Sequence, residues 1–174
     1  MTKQKNKNRK RTLSRLIAVQ VLYQYDFHEE KKSYDEIKKD LIENYILNSD
    51  DEISSYQNEI DADFLDKLLA VSQMFAQIDQ DLSAFLQKGW SLNSVDKVML
   101  QILRLAVFEL QMLKDIPPKV VVDEYVGIAA SFFDQKKVTF VNAILDKFSK
   151  QDANASTVLA WPLAPLQTCS SVIK

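Results

Sequence analysis

Apolar side chains recur along this chain at helical spacing, in separate runs divided by short polar stretches. From Leu13 the stripe continues through Leu16, Ile17, Val21, Leu22 and Tyr25, with Gln20 and Gln24 off it, which is the pattern of an amphipathic helix. A charged stretch from His28 to Lys32 follows, and Ser33 with Glu36 then reads as a capping box opening a second helix through Ile37, Leu41, Tyr45 and Ile46. Residues 48–55 form a polar, acidic loop. A third pattern starts near Asp61 with Phe64, Leu65, Leu68, Leu69 and Phe75 and goes on through Ile78, Leu82, Phe85 and Leu86. It either runs unbroken or bends near residues 78–80, with Gly89 as its stop.

Asn93 or Ser94 is the expected cap of the most apolar helix, which carries Val95, Val98, Met99, Ile102, Leu103, Leu105, Ala106, Leu110 and Leu113. Apolar residues surround most of its circumference, so it should be central. Pro117 and Pro118 interrupt the chain and pre-set the entry to a helix over roughly 119–133, since proline suits a first turn and not an interior. A polar loop, Asp134 to Lys137, leads to a last helix with Phe140, Val141, Ile144, Leu145 and Phe148. There is no strand alternation and no internal repeat, and only two glycines and four prolines punctuate 174 residues. An all-α fold is expected, as one domain over 13–150 with lobes of about 13–80 and 81–150, a flexible basic arm over 1–12 and an irregular tail over 151–174.

Charge changes this picture. The first fifteen residues hold seven basic side chains (Lys3, Lys5, Lys7, Arg9, Lys10, Arg11, Arg15) and no acid, and the first acid is Asp26. Because the chain has 22 basic and 24 acidic residues in all, the net charge of −2 conceals a cationic arm on an anionic body. Extending the first helix back by a turn or two lines up Lys7, Arg11 and Arg15 on one face. Such a row beside a helix N-terminus, with its unpaired N–H groups, is a place for phosphate to collect. Neutralising about four phosphates of a single strand implies a logarithmic salt slope of roughly −3.

Cys169 and His28 are single representatives of their types, which argues against a disulfide, a Cys/His zinc cluster or a Cys-His nucleophilic pair. No metal or cofactor is expected. The chain has no apolar run of membrane-spanning length and no signal-peptide pattern, so no membrane association and a cytoplasmic location are expected.

Four segments in order carry a resemblance: Arg15 to Tyr23 (RLIAVQVLY) after the basic arm, Ile102 to Leu110 (ILRLAVFEL), Ile116-Pro117 with Val121 to Glu124 (VVDE), and Phe140 to Lys147 (FVNAILDK). Together they resemble the NusB family of bacterial transcription antitermination factors, over about residues 9–150. The resemblance implies about seven helices in two small packed bundles and no enzymatic activity. It further implies binding to the single-stranded boxA element of RNA together with NusE, a small-subunit ribosomal protein, in ribosomal RNA operons. Other Nus factors and RNA polymerase complete the expected partners, with NusE against the C-terminal lobe near residues 134–139, and homodimerisation is left open. Ala143 stands where the family usually has glycine.

The expected RNA-binding residues are Lys7, Arg9, Lys10, Arg11, Ser14 and Arg15, with Lys136, Lys137, Phe140 and Asn142 as further RNA or partner contacts. Tyr23, Tyr25 and Phe27 suit base stacking, but their place on an apolar helix favours the core, as it does for Phe140. Asn142, among apolar neighbours, is expected as a buried amide. Arg104 and Glu109 interrupt the central helix and should reach different partners, Arg104 pairing with Asp123 or Glu124. The alternative function is a helical accessory domain or fragment related to the N-terminal domain of RNA cytosine methyltransferases. A complete methyltransferase is excluded by the lack of a glycine-rich cofactor loop. A helix-turn-helix DNA binder is disfavoured because the positive charge lies on a terminal arm.

Overall fold

The computed structural model describes residues 2–27, 32–47, 60–86 and 91–154, with side chains over 7–27, 32–44, 60–86 and 91–150. These residues form seven α-helices and no strand: α1 (Thr2–Phe27), α2 (Tyr34–Leu47), α3 (Ala62–Leu69), α4 (Phe75–Phe85), α5 (Lys97–Met112), α6 (Pro118–Phe132) and α7 (Gln135–Asn154). The expected loop at 48–55 and the stop at Gly89 lie outside the described residues, as do His28 and Cys169.

The helix starts follow local chemistry. At α2, Ser33 Oγ accepts from the Glu36 amide at 3.2 Å while the Glu36 carboxylate accepts from the Ser33 amide at 2.7 Å, so the capping box forms. Asp61 caps α3 by accepting from the Phe64 amide. The helix after it breaks earlier than expected. Residues Ala70–Met74 tighten into a 3-10 turn between α3 and α4, which lets Leu68, Leu69, Val71 and Met74 all face the core. Asp96, rather than Asn93 or Ser94, caps α5, accepting from the amides of Val98 and Met99. Its carboxylate satisfies two of the first orphan N–H groups, while Ser91 and Ser94 close a separate 3-10 turn upstream. Pro118 occupies the first turn of α6, where its missing N–H costs nothing.

Two departures concern the expected RNA contacts. Residues 2–12 are not a separate arm but the opening turns of α1. Lys136 and Lys137 are not loop residues either: Asp134 accepts from the Lys137 amide at 3.0 Å, so both lysines sit in the first turn of α7.

The core is built around α5, on which every residue from Met99 to Leu110 except Arg104 is buried. It packs against α1, α3, α4, α6 and α7, and α1 also packs on α2, α3 and α6. Ile17, Ala18, Val19, Val21 and Leu22 of α1 join Ile102, Leu103, Leu105 and Val107 of α5 and Val141 and Leu145 of α7 in one apolar cluster. Each of these Ile, Leu and Val side chains contributes about 1.5–3 kcal/mol by leaving water.

Candidate nucleic-acid interface

The cations of α1 change character along the helix. Lys7 and Arg9 are exposed, Lys10 and Arg11 are half-buried, and Arg15 is buried at 2% exposure. Arg15 therefore does not lie on a solvent-facing row with Lys7. Its Nε donates to Glu109 at 3.0 Å, its Nη2 to the other oxygen of Glu109 at 2.5 Å, and its Nη1 to Glu124 at 3.1 Å. The buried Tyr125 hydroxyl donates to Glu109 at 2.9 Å. Glu109 thus receives a two-pronged fork and a phenol, the arrangement in which buried charges are tolerated. Burial works against the charge of Arg15, but the hydrogen bond and the attraction of Glu109, with Tyr125 and Glu124, hold its pKa above the ordinary value. Burial, reinforced by the negative charge of Glu109, raises the Tyr125 pKa well above that of a free phenol, so it stays a donor.

One turn earlier, Arg11 meets Asp61 at 3.4 Å and Asp115 at 3.8 Å. Arg11 and Arg15 both lie over the ring of Phe64, at 4.8 and 5.0 Å from its centre, a favourable cation–π geometry. Ser14, expected at the RNA surface, is also buried. Its hydroxyl bridges the Asp61 carbonyl and amide, each at 3.1 Å, and so fastens α1 to the start of α3. The single hydroxyl hydrogen of Thr12 is donated to Glu124 at 2.6 Å, with the Asn8 carbonyl 3.0 Å from the same oxygen. The solvent-facing cations on the described part of the helix are thereby Lys7 and Arg9, with Lys10 and Arg11 flanking.

At α7, Lys136 and Lys137 are exposed, and Lys137 lies 3.9 Å from Asp96 and 5.0 Å from the centre of the Phe133 ring. Phe140 is half-buried against the core. Asn142 is exposed, not a buried amide: the helix turns Val141, Ile144 and Leu145 inward and leaves Asn142 outward. Nor are the aromatics of α1 all core. Tyr25 and Phe27 are 40% and 54% exposed, Tyr25 stacking on Tyr34 and Phe27 tilting against the half-buried Tyr23.

Arg104 pairs with Asp79 and Asp26, at 2.6 and 3.8 Å, rather than with the acids of α6, because it projects toward α4 and the end of α1. Glu109 stands out in the sequence as a charge on an apolar helix and Glu124 as an expected partner of Arg104, but their shared partner on α1, Arg15, has no local signal. Among the described residues no three His, Cys, Asp or Glu side chains gather as a metal site, and no helix is long and apolar enough to cross a membrane.

A family model described as the NusB family matches residues 12–150. The chain is 36% identical over 140 residues to the transcription antitermination protein NusB of Novosphingobium aromaticivorans, covering 80% of this chain and 93% of that one. Among solved structures it is similar to NusB of T. maritima, with TM-score 0.65, 28% identity and coverage of 81% and 91%. It is also similar to a structure of the antitermination factors NusB and NusE in complex with double-stranded RNA, with TM-score 0.64, 26% identity and coverage of 82% and 98%.

Proposed function

The chain belongs to the NusB family, and from that premise we propose that it is a non-catalytic antitermination factor that binds boxA-type single-stranded RNA together with NusE in ribosomal RNA operons. The observation carrying this reading is the cationic opening of α1, with Lys7 and Arg9 exposed and no acid before Asp26, on a body whose other charges sum to a negative value. A polyanion is drawn to the former and repelled by the latter. The RNA and NusE held by the similar solved assembly support the choice of partners. Lys136, Lys137, Phe140 and Asn142, on one helix and near the α6–α7 junction, are assigned as further RNA or NusE contacts. Other Nus factors and RNA polymerase extend the assembly.

If about four phosphates of a single strand are neutralised, the logarithmic salt slope is roughly −3. The test titrates the protein, with and without NusE, against a boxA single strand, a scrambled single strand of equal length and an RNA duplex. Tighter binding to boxA, enhanced by NusE, is expected. Equal affinity for boxA and the scrambled strand in both conditions overturns the boxA reading and leaves a general polyanion binder.

A further inference from the structure

We propose that Glu124 is a positioning residue for RNA binding, acting through Thr12 and Arg15 to fix the direction in which the basic turns of α1 leave the body. The inference rests on the RNA-binding reading above. Its starting point is an electrostatic excess. Glu109 already receives two of Arg15's three nitrogens and balances its charge. Glu124 is a second carboxylate on the same guanidinium, and its side chain is 24% exposed, close to the surface on which phosphate would settle. On charge alone this acid opposes RNA binding.

What Glu124 does instead is geometric. One of its oxygens, Oε2, accepts from both Thr12 at 2.6 Å and Arg15 at 3.1 Å, so a single carboxylate on α6 grips α1 at two positions three residues apart. These lie next to each other on one face of a helix. Thr12 is where α1 passes from buried to exposed: residues 14–15 are buried, 10–13 are half-buried and 7–9 are exposed. The grip therefore sits at the pivot of the projecting turns. With a rise of about 1.5 Å per residue, Lys7 lies about 7.5 Å beyond Thr12, so a tilt of roughly 20° displaces it by about 2.6 Å. That is enough to break a phosphate contact, and holding the helix still in advance avoids the ordering cost at binding.

Charge and position make opposite predictions for one variant, which makes the experiment decisive. If Glu124 acts only through charge, Glu124→Ala tightens RNA binding; if it positions α1, the same change weakens it. We expect Glu124→Ala and Thr12→Val each to weaken boxA binding about threefold to tenfold, with the salt slope nearly unchanged and the double variant no worse than the poorer single. Glu124→Gln, which keeps an acceptor and drops the charge, should restore most of the affinity. Hydrogen exchange of the amides of residues 8–12 should quicken in Glu124→Ala while the α5 amides keep their protection, which separates a loosened pivot from general destabilisation. Unchanged or tighter binding by Glu124→Ala and Thr12→Val overturns the positioning role. Uniform loss of protection in both α1 and α5 overturns it too. A Lys7→Glu/Arg9→Glu variant in parallel separates the two readings: if it binds boxA as well as wild type, the RNA-binding reading of α1 fails with it. If it loses binding while Glu124→Ala does not, only the positioning role falls.

Discussion

Two ion pairs, one at each end of the stretch from Arg15 to Asp26, tie α1 to α5 by the same chemistry with the roles exchanged. At its middle α1 supplies the guanidinium, Arg15, and α5 the acid, Glu109; in its last turn α1 supplies the acid, Asp26, and α5 the guanidinium, Arg104. The first pair is nearly dry, with side-chain exposures of 3% and 0%, and the second is wet, at 12% for Arg104 and 35% for Asp26. The wet end is also a looser chain of contacts. Arg104 forks onto Asp79 at 2.8 and 2.6 Å, lies 4.3 Å from the centre of the Phe75 ring, and reaches Asp26 through Gln101, whose Nε2 donates to Asp26 at 2.6 Å. The dry end sets one geometry because any other leaves a buried charge unpaired. The wet end has water as a substitute partner.

The largest effect follows from that difference. Removing the guanidinium of the dry pair, as Arg15→Ala, should lower stability by about 3–5 kcal/mol, since Glu109 stays buried with no opposite charge; Glu109→Ala should cost less, because Glu124 still faces Arg15 at 3.1 Å. Urea unfolding checks this through a lower midpoint at constant slope. A loss below about 1 kcal/mol would mean that α1 can shift and let water in, and the contrast between the ends would collapse. Charge reversal at Arg15 consequently reports on folding, and RNA affinity is better probed at Lys7 and Arg9.

A smaller loss is expected at the wet end. Arg104→Ala should cost about 1–2 kcal/mol, the sum of a part-exposed fork and a cation–π contact of about 0.5–1 kcal/mol. Arg104→Lys should recover less than half of it, because an ammonium cannot reproduce the planar fork onto Asp79. The same urea series measures both. If Arg104→Ala costs as much as Arg15→Ala, burial is not what separates the two ends.

Much of this fold is legible in the sequence, and the residues that are not share a cause. Capping at Ser33 and Glu36, the apolar wrap of α5 and the proline entry to α6 depend on neighbours within about four residues, which periodicity and side-chain chemistry report directly. Whether Arg15 faces water depends instead on Glu109 and Glu124, 94 and 109 residues away. A basic side chain in a basic stretch carries no local sign of such partners. The wet end misled in the same way: Arg104 finds Asp79 and Asp26 because of how α4 and α1 lie against α5, and Glu124 is left for Arg15. Asn142 follows the same logic, since one helical step separates an inward position from an outward one.

The smallest effect tests how far solvent access at the wet end carries into α2, which begins at Tyr34 with its ring stacked on Tyr25 at 4.0 Å. The clasp at that start is fully exposed: the Glu36 carboxylate accepts from the Ser33 amide at 2.7 Å and its hydroxyl at 2.9 Å. Those two hydrogen bonds, the backbone one foremost, lower the Glu36 pKa below the ordinary glutamate value. A carboxyl group whose pKa is lower folded than unfolded stabilises the fold above the unfolded pKa, and that contribution fades as pH falls through the folded one. Wild type should therefore lose a little helix signal at 222 nm as pH drops below about 4.5, the ordinary value for this group. Glu36→Gln keeps an acceptor oxygen for Ser33 without a titrating group, so its curve should lack that component and otherwise overlay the wild type. Identical acid curves for the two proteins would show that the clasp contributes nothing measurable to α2. The stacked Tyr25–Tyr34 pair and the burial of Ile37 would then hold the start of that helix against α1 without help from the cap.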